Sequence, residues 1–105
     1  MSEFIQVFIT INDRSKAKII AETLLEKRLA GCVQISEYIT SLYRWEGRIM
    51  EDQEWLLIIK TSNDLYSELE REVKQIHPYE VPEILALPVS HGNEAYLKWL
   101  RKELK

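Results

Sequence analysis

The segment His77-Pro78-Tyr79-Glu80-Val81-Pro82-Glu83 is the densest in chemical groups. It holds an imidazole, a phenol and two carboxylates, and its two prolines stiffen it by fixing φ and restricting the preceding residue. Two readings are open. One is a rigid ligand-binding loop; the other is a helix-to-strand connection whose prolines set geometry and whose charges are solvated. Cys32 is the only cysteine, which excludes an internal disulfide framework and a Cys-pair zinc site. It opens a strand-like run, where it is either a small buried apolar residue or a thiolate ligand for a soft metal. Lys60 ends an apolar run, and a lysine there snorkels to solvent or lines a pocket. His91, in Ser90-His91-Gly92, reads as a solvated loop residue. The aromatic set Tyr43, Trp45, Trp55 and Trp99 reads as core or interface. There is no Gly-rich phosphate loop, HExxH or GxSxG, and no nucleophile–base pair is legible. A non-enzyme is the expectation.

The elements that must position these groups follow from periodicity. Glu3 to Ile11 is rich in Val, Ile and Phe and reads as a buried strand. Asn12-Asp13 can cap a helix whose inner face is Ala17, Ile20, Ala21, Leu24 and Leu25. Lys27 and Arg28 suit its last turn, and Gly31 its stop. Alternation from Cys32 to Arg44, a Trp45-Glu46-Gly47-Arg48 turn and a second strand through Trp55 to Lys60 make a long hairpin. Ser62-Asn63-Asp64 starts a helix lined by Leu65, Leu69, Val73 and Ile76, with Glu70 and Lys74 as an outer i,i+4 pair and Pro78 as the terminator. Glu83 to Val89, bracketed by Pro82 and Pro88, suits an edge strand. A last helix from Asn93 turns Tyr96, Leu97, Leu100 and Leu104 inward. The order β-α-β-β-α-β-α is the ferredoxin-like split β-α-β repeat of the α+β class, with a long β-hairpin and an added C-terminal helix.

The hairpin is too long for one globule. Cys32 to Trp45 is 14 residues, about 46 Å if extended. A compact chain of this length is about 33 Å across. The strand must overshoot or bend at a bulge. An overshooting arm with Tyr38, Leu42, Tyr43, Trp45 and Trp55 exposes aromatic surface and open edges unless a partner covers it. It is expected to add strands to a neighbour's sheet.

Bulk properties narrow the rest. The 105 residues make one domain, 1–105, and the 46% apolar and 30% charged fractions are those of a globular chain. Seventeen acidic against 14 basic residues leave a net charge of −3, unsuited to gripping a nucleic-acid backbone. No signal peptide and no apolar run of about 20 residues is visible, so no membrane contact and a cytoplasmic location are expected.

The chain resembles the CutA divalent-cation tolerance family in His77-Pro78-Tyr79-Glu80-Val81-Pro82-Glu83-Ile84, in Arg28-Leu29-Ala30-Gly31-Cys32-Val33 and in Tyr43-Arg44-Trp45-Glu46-Gly47. Weaker likeness lies in Ile59-Lys60-Thr61 and Tyr96-Leu97-Lys98-Trp99-Leu100. The resemblance implies a ferredoxin-like fold, a homotrimer with hairpins packed between subunits, and a tie to divalent metals, copper especially. It also implies trimers like those of PII signalling proteins and no enzymatic reaction. Copper ligands proposed for one branch are a first-strand Cys and two successive His before the proline. Here Val7-Phe8-Ile9-Thr10 has no Cys, and Ile76 stands beside His77.

The expectation is a cleft between subunits lined by Lys60, Tyr79, Glu83 and Trp45. His77 and Cys32 are the candidate ligands for copper or another divalent cation. A PII-like scaffold with only an indirect link to metals is the alternative.

Overall fold

The first segment is crowded with Val, Ile and Phe because it becomes the sheet's central strand. β1 (Phe4–Ile11) pairs antiparallel with β4 (Arg48–Ser62) on one side and with β5 (Ile84–Pro88) on the other. The strand order is β2-β4-β1-β5, with β2 (Cys32–Ile35) and β3 (Ile39–Trp45) both pairing β4. The helices are α1 (Arg14–Glu26), α2 (Tyr66–Ile76, entered through a 3-10 turn at Asn63–Leu65) and α3 (Glu94–Glu103). This is the expected α+β, ferredoxin-like architecture, seen in a computed structural model that describes residues 3–105.

Alternation along β1 sends Ile5, Val7, Ile9 and Ile11 into one core with Leu57 and Ile59 of β4, Ile20 and Leu24 of α1, and Leu69 and Val73 of α2. The opposite sheet face carries half-buried Phe8, Leu56 and Ile58 and exposed Leu85 and Leu87. β5 is an edge strand, as its flanking prolines predict. The hairpin turn has positive φ at Glu46 (51°) and Gly47 (77°), the two-residue geometry that matches strand twist.

The run from Cys32 is not one strand. It breaks after Ile35, where the Ser36 N–H donates to the Leu56 carbonyl at 2.9 Å and the Ser36 hydroxyl accepts from the Leu56 N–H at 3.1 Å. A side-chain oxygen thus takes the place of a ladder carbonyl, and the chain is free to turn before resuming as β3. β4 stays unbroken over 15 residues and carries the arm outward, so the molecule measures 44 × 26 × 24 Å. Its radius of gyration is 14.3 Å, against about 13 Å for a compact chain of this size.

α1 also ends differently from its predicted stop. Arg28, not Gly31, takes the left-handed conformation, with φ 58°. Its N–H bonds to Leu25 at 3.0 Å and that of Leu29 to Leu24 at 2.9 Å, a Schellman closure. The Arg28 guanidinium reaches the C-terminus of α3, donating to the carbonyls of Glu103 at 2.8 Å and Lys102 at 2.7 Å. Gly31 serves packing instead: a Cβ there would lie 2.5 Å from Leu100 Cδ1, so its bare backbone is what lets α3 sit down. Two smaller expectations fail as well. Glu70 accepts from the Tyr66 hydroxyl at 3.1 Å instead of pairing with Lys74, and Tyr96 is 41% exposed, against Trp99 and off the inner stripe.

Gly31→Ala is expected to destabilise the fold by about 1–3 kcal/mol through overpacking against the buried Leu100. Urea denaturation checks this, and a midpoint equal to wild type would show that α3 can step aside.

Candidate functional site: an acidic aromatic groove at the hairpin

Pro78 bars His77 from helical geometry, so α2 ends there with His77 extended at φ −65° and ψ 132°. The imidazole is thereby turned under the end of β1. Nε2 donates to the Thr10 carbonyl at 2.8 Å, and Nδ1 accepts the Tyr79 N–H at 3.2 Å. A carbonyl can only accept and an amide N–H can only donate, so these partners assign one neutral tautomer and occupy both ring nitrogens. The ring is 7% exposed, and burial holds its pKa below the ordinary 6.5 despite the Thr10 bond and the nearby Glu54.

The loop continues over this anchor. The Tyr79 ring meets His77 edge-on, with centroids 4.6 Å apart, and its hydroxyl donates to Glu54 Oε2 at 2.7 Å. Glu54 is only 6% exposed, and no Lys, Arg or His among the described residues pairs with it. Burial and that carboxylate push the Tyr79 phenol well above its ordinary range. On the hairpin, Tyr43 donates to Asp52, which raises the Tyr43 pKa in turn. Glu83 accepts a long bond of 3.5 Å from the Thr10 hydroxyl.

Together these groups wall a groove of about 740 Å³ between the hairpin and the proline-bracketed loop. Its rings are Tyr43, Trp45 and Tyr79; its carboxylates are Asp52, Glu54, Glu80 and Glu83; no basic side chain lines it. Such a surface concentrates cations and repels anions.

Of the residues expected to share a cleft, Trp45, Tyr79 and Glu83 do line this groove. Lys60 does not: it sits in register with Gln6 and Cys32, bonded to Gln34. Six positions along β4 separate it from Glu54, about 20 Å by strand rise. Cys32, Lys60's cross-strand neighbour, is half-exposed instead of buried, and its closeness to Tyr96 adds to the burial that raises that phenol's pKa. His77 lies at the level of Thr10, four positions along β1 from Gln6, so the two candidate metal ligands are held apart. Among the described residues no three of His, Cys, Asp and Glu converge as a metal-ligand group.

Asp52 and Glu54 were not among the candidates. The signal for Glu54 was a carboxylate at the border of the apolar Trp55–Ile59 run. Its partner Tyr79, 25 positions away, becomes visible only once the strands are in register.

The family model for the CutA1 divalent ion tolerance protein matches residues 5–103. The chain belongs to that family. It is 50% identical over 96 residues to the divalent-cation tolerance protein CutA of Thermus thermophilus, covering 91% of this chain and 93% of that protein. Human protein CutA is 48% identical over 90% of this chain, which spans only 53% of the human protein. The Thermus thermophilus Cut A1 structure superposes with a TM-score of 0.95 at 47% identity, covering 97% and 99% of the two chains.

CutA relatives also correct the cytoplasmic expectation. The Arabidopsis thaliana protein, 41% identical over 96% of this chain and matched over 56% of its own length, is named chloroplastic. An Archaeoglobus fulgidus CutA structure is named periplasmic; it is 36% identical with a TM-score of 0.94, covering 97% of this chain and 99% of that one. Family membership therefore fixes no compartment. Among the described residues no helix is long and apolar enough to cross a membrane.

The His77 pKa has a sign that can be tested. A base held below its unfolded value binds fewer protons when folded, so its stabilisation is complete above about pH 6.5 and is lost as pH falls through the window beneath. Denaturation at pH 7.5 and 5.5 should show falling stability, with a shallower fall in His77→Gln. An NMR titration midpoint for the His77 ring at or above 6.5 would contradict the burial argument.

Proposed function

We propose that this chain is a non-enzymatic, homotrimeric divalent-cation response protein. Its hairpins pack between subunits, and its acidic groove takes a cation weakly. The observation that carries this reading is the groove itself, with four carboxylates, three aromatic rings and no basic lining, set beside an arm whose Leu42, Tyr43, Trp45 and Ile49 are exposed on the single chain. Exposed apolar surface on that scale calls for a covering partner.

The donor chemistry favours oxygen over imidazole or thiolate. Neutral His77 has no free nitrogen to offer, and Cys32 is on a distant part of the sheet. Carboxylate oxygens suit hard divalent ions and hold them loosely when they are spread out instead of converging. Copper bound through His77 and Cys32 is thus the less favoured form of the proposal. The second reading is a PII-like scaffold whose metal link is indirect. It is favoured by the lack of any converged ligand group among the described residues.

Two measurements separate these readings. Sedimentation equilibrium at micromolar concentration should give the trimer mass, and Trp45→Ala should weaken assembly by about 2 kcal/mol or more if that ring is an interface anchor. A single-chain mass would end the trimer reading. Calorimetric titration with copper, zinc and manganese should show micromolar or poorer binding that survives His77→Ala and falls in Glu80→Gln/Glu83→Gln. Heats at the level of buffer for all three ions would leave the scaffold reading.

A further inference from the structure

The groove holds four carboxylates and no internal base, and the same hairpin holds an arginine with no internal acid. Arg44 is exposed, and no carboxylate among the described residues lies within ion-pair distance of it. It sits between Tyr43 and Trp45, both of which line the groove. Arg44 stands opposite Ile49 in the ladder and does not itself line the groove, whereas Arg48, the arm's other exposed arginine, stands opposite Trp45 and shares that ring's face. Each chain therefore carries an acidic groove and, on the same arm, a guanidinium outside it.

We propose that the Arg44 guanidinium of each subunit enters the groove of the next and pairs with Glu80 and Glu83. This rests on the assembly proposed above and names the contact that would orient it. Asp52 and Glu54 already accept from Tyr43 and Tyr79. Among the described residues Glu80 accepts from no group, and Glu83 only from the long Thr10 bond. These are the two groove carboxylates with the most capacity left for a guanidinium, whose planar fork matches a carboxylate better than a lysine would. The three ring faces would flank the planar cation, a second favourable contact.

Arg44 of one subunit meeting Glu80 and Glu83 of another joins two different patches, the heterologous kind of contact that a ring such as the proposed trimer repeats.

The test is a charge exchange read by sedimentation. Arg44→Glu should raise the concentration at which the ring dissociates by about tenfold or more, as should Glu83→Arg, and both effects should shrink in high salt. Arg44→Glu combined with Glu83→Arg, or with Glu80→Arg, in one chain should restore assembly, because every interface then carries the exchanged pair. Arg44→Lys should restore it only in part. A wild-type ring that Arg44→Glu leaves intact overturns this inference alone. So does a loss that neither exchange repairs while circular dichroism shows each variant folded. A wild-type chain that sediments as a monomer overturns the proposed assembly itself.

Discussion

β4 hydrogen-bonds to three strands, and its length sets where nearly everything else can stand. Its inner half pairs with β1 and β2 and lies over the helices; its outer half has only β3. Continuous pairing over 15 residues keeps the outer half straight enough to leave the body. Within that one strand, Leu57 and Ile59 are fully buried while Ile49 is 71% exposed. The transition falls at Glu54, where the carboxylate is buried but the backbone is leaving the core. The groove exists because that transition is abrupt. The loop after α2 fills the corner from one side, and the hairpin's front face forms the other.

The corner is held by neutral contacts more than by charge. His77 bonds through both nitrogens to backbone groups, which ties the loop to the end of β1 without an ion. Tyr79 then bridges to Glu54 with a phenol that burial and the carboxylate keep protonated. The His77 contacts avoid the desolvation cost of a buried ion pair, whereas Glu54 bears that cost with a phenol for its partner. The negative charge is left unneutralised and displayed in a concave place. That is poor economy for a monomer's stability and useful for attracting a cation, whether a metal ion or a guanidinium.

Most of the architecture was legible because it rests on short-range patterns. Alternation in β1, the 3.6-residue stripe of α2 and the Glu46-Gly47 turn each depend only on neighbours in sequence. The misreadings share a cause of a different kind. Gly31 looked like a helix stop, yet the reason for glycine there is Leu100, 69 positions later. Arg28 looked like a dipole partner for its own helix, yet its guanidinium serves α3. Ser36 looked like one more alternating residue, yet its hydroxyl joins the ladder of the strand opposite. For the site, the proline-bracketed loop was recognisable by composition, and Trp45, Tyr79 and Glu83 do meet. Asp52 and Glu54 were missed and Lys60 misplaced because strand register, which decides the level at which each residue stands, is not written in any one strand.

The junction at Arg28 has a consequence for the order in which the chain can mature. The notch beside Gly31 and the guanidinium above it are made well before the helix that fills them. Leu100 and Leu104 belong to the central core, so that core stays open until α3 is made. β1 must likewise wait for β5, since Ile5 faces Pro88 in the ladder. Contacts of such long sequence separation slow folding and leave apolar edges bare meanwhile. A chain stalled before α3 would present an unfilled core beside a hairpin that already exposes Leu42, Trp45 and Ile49.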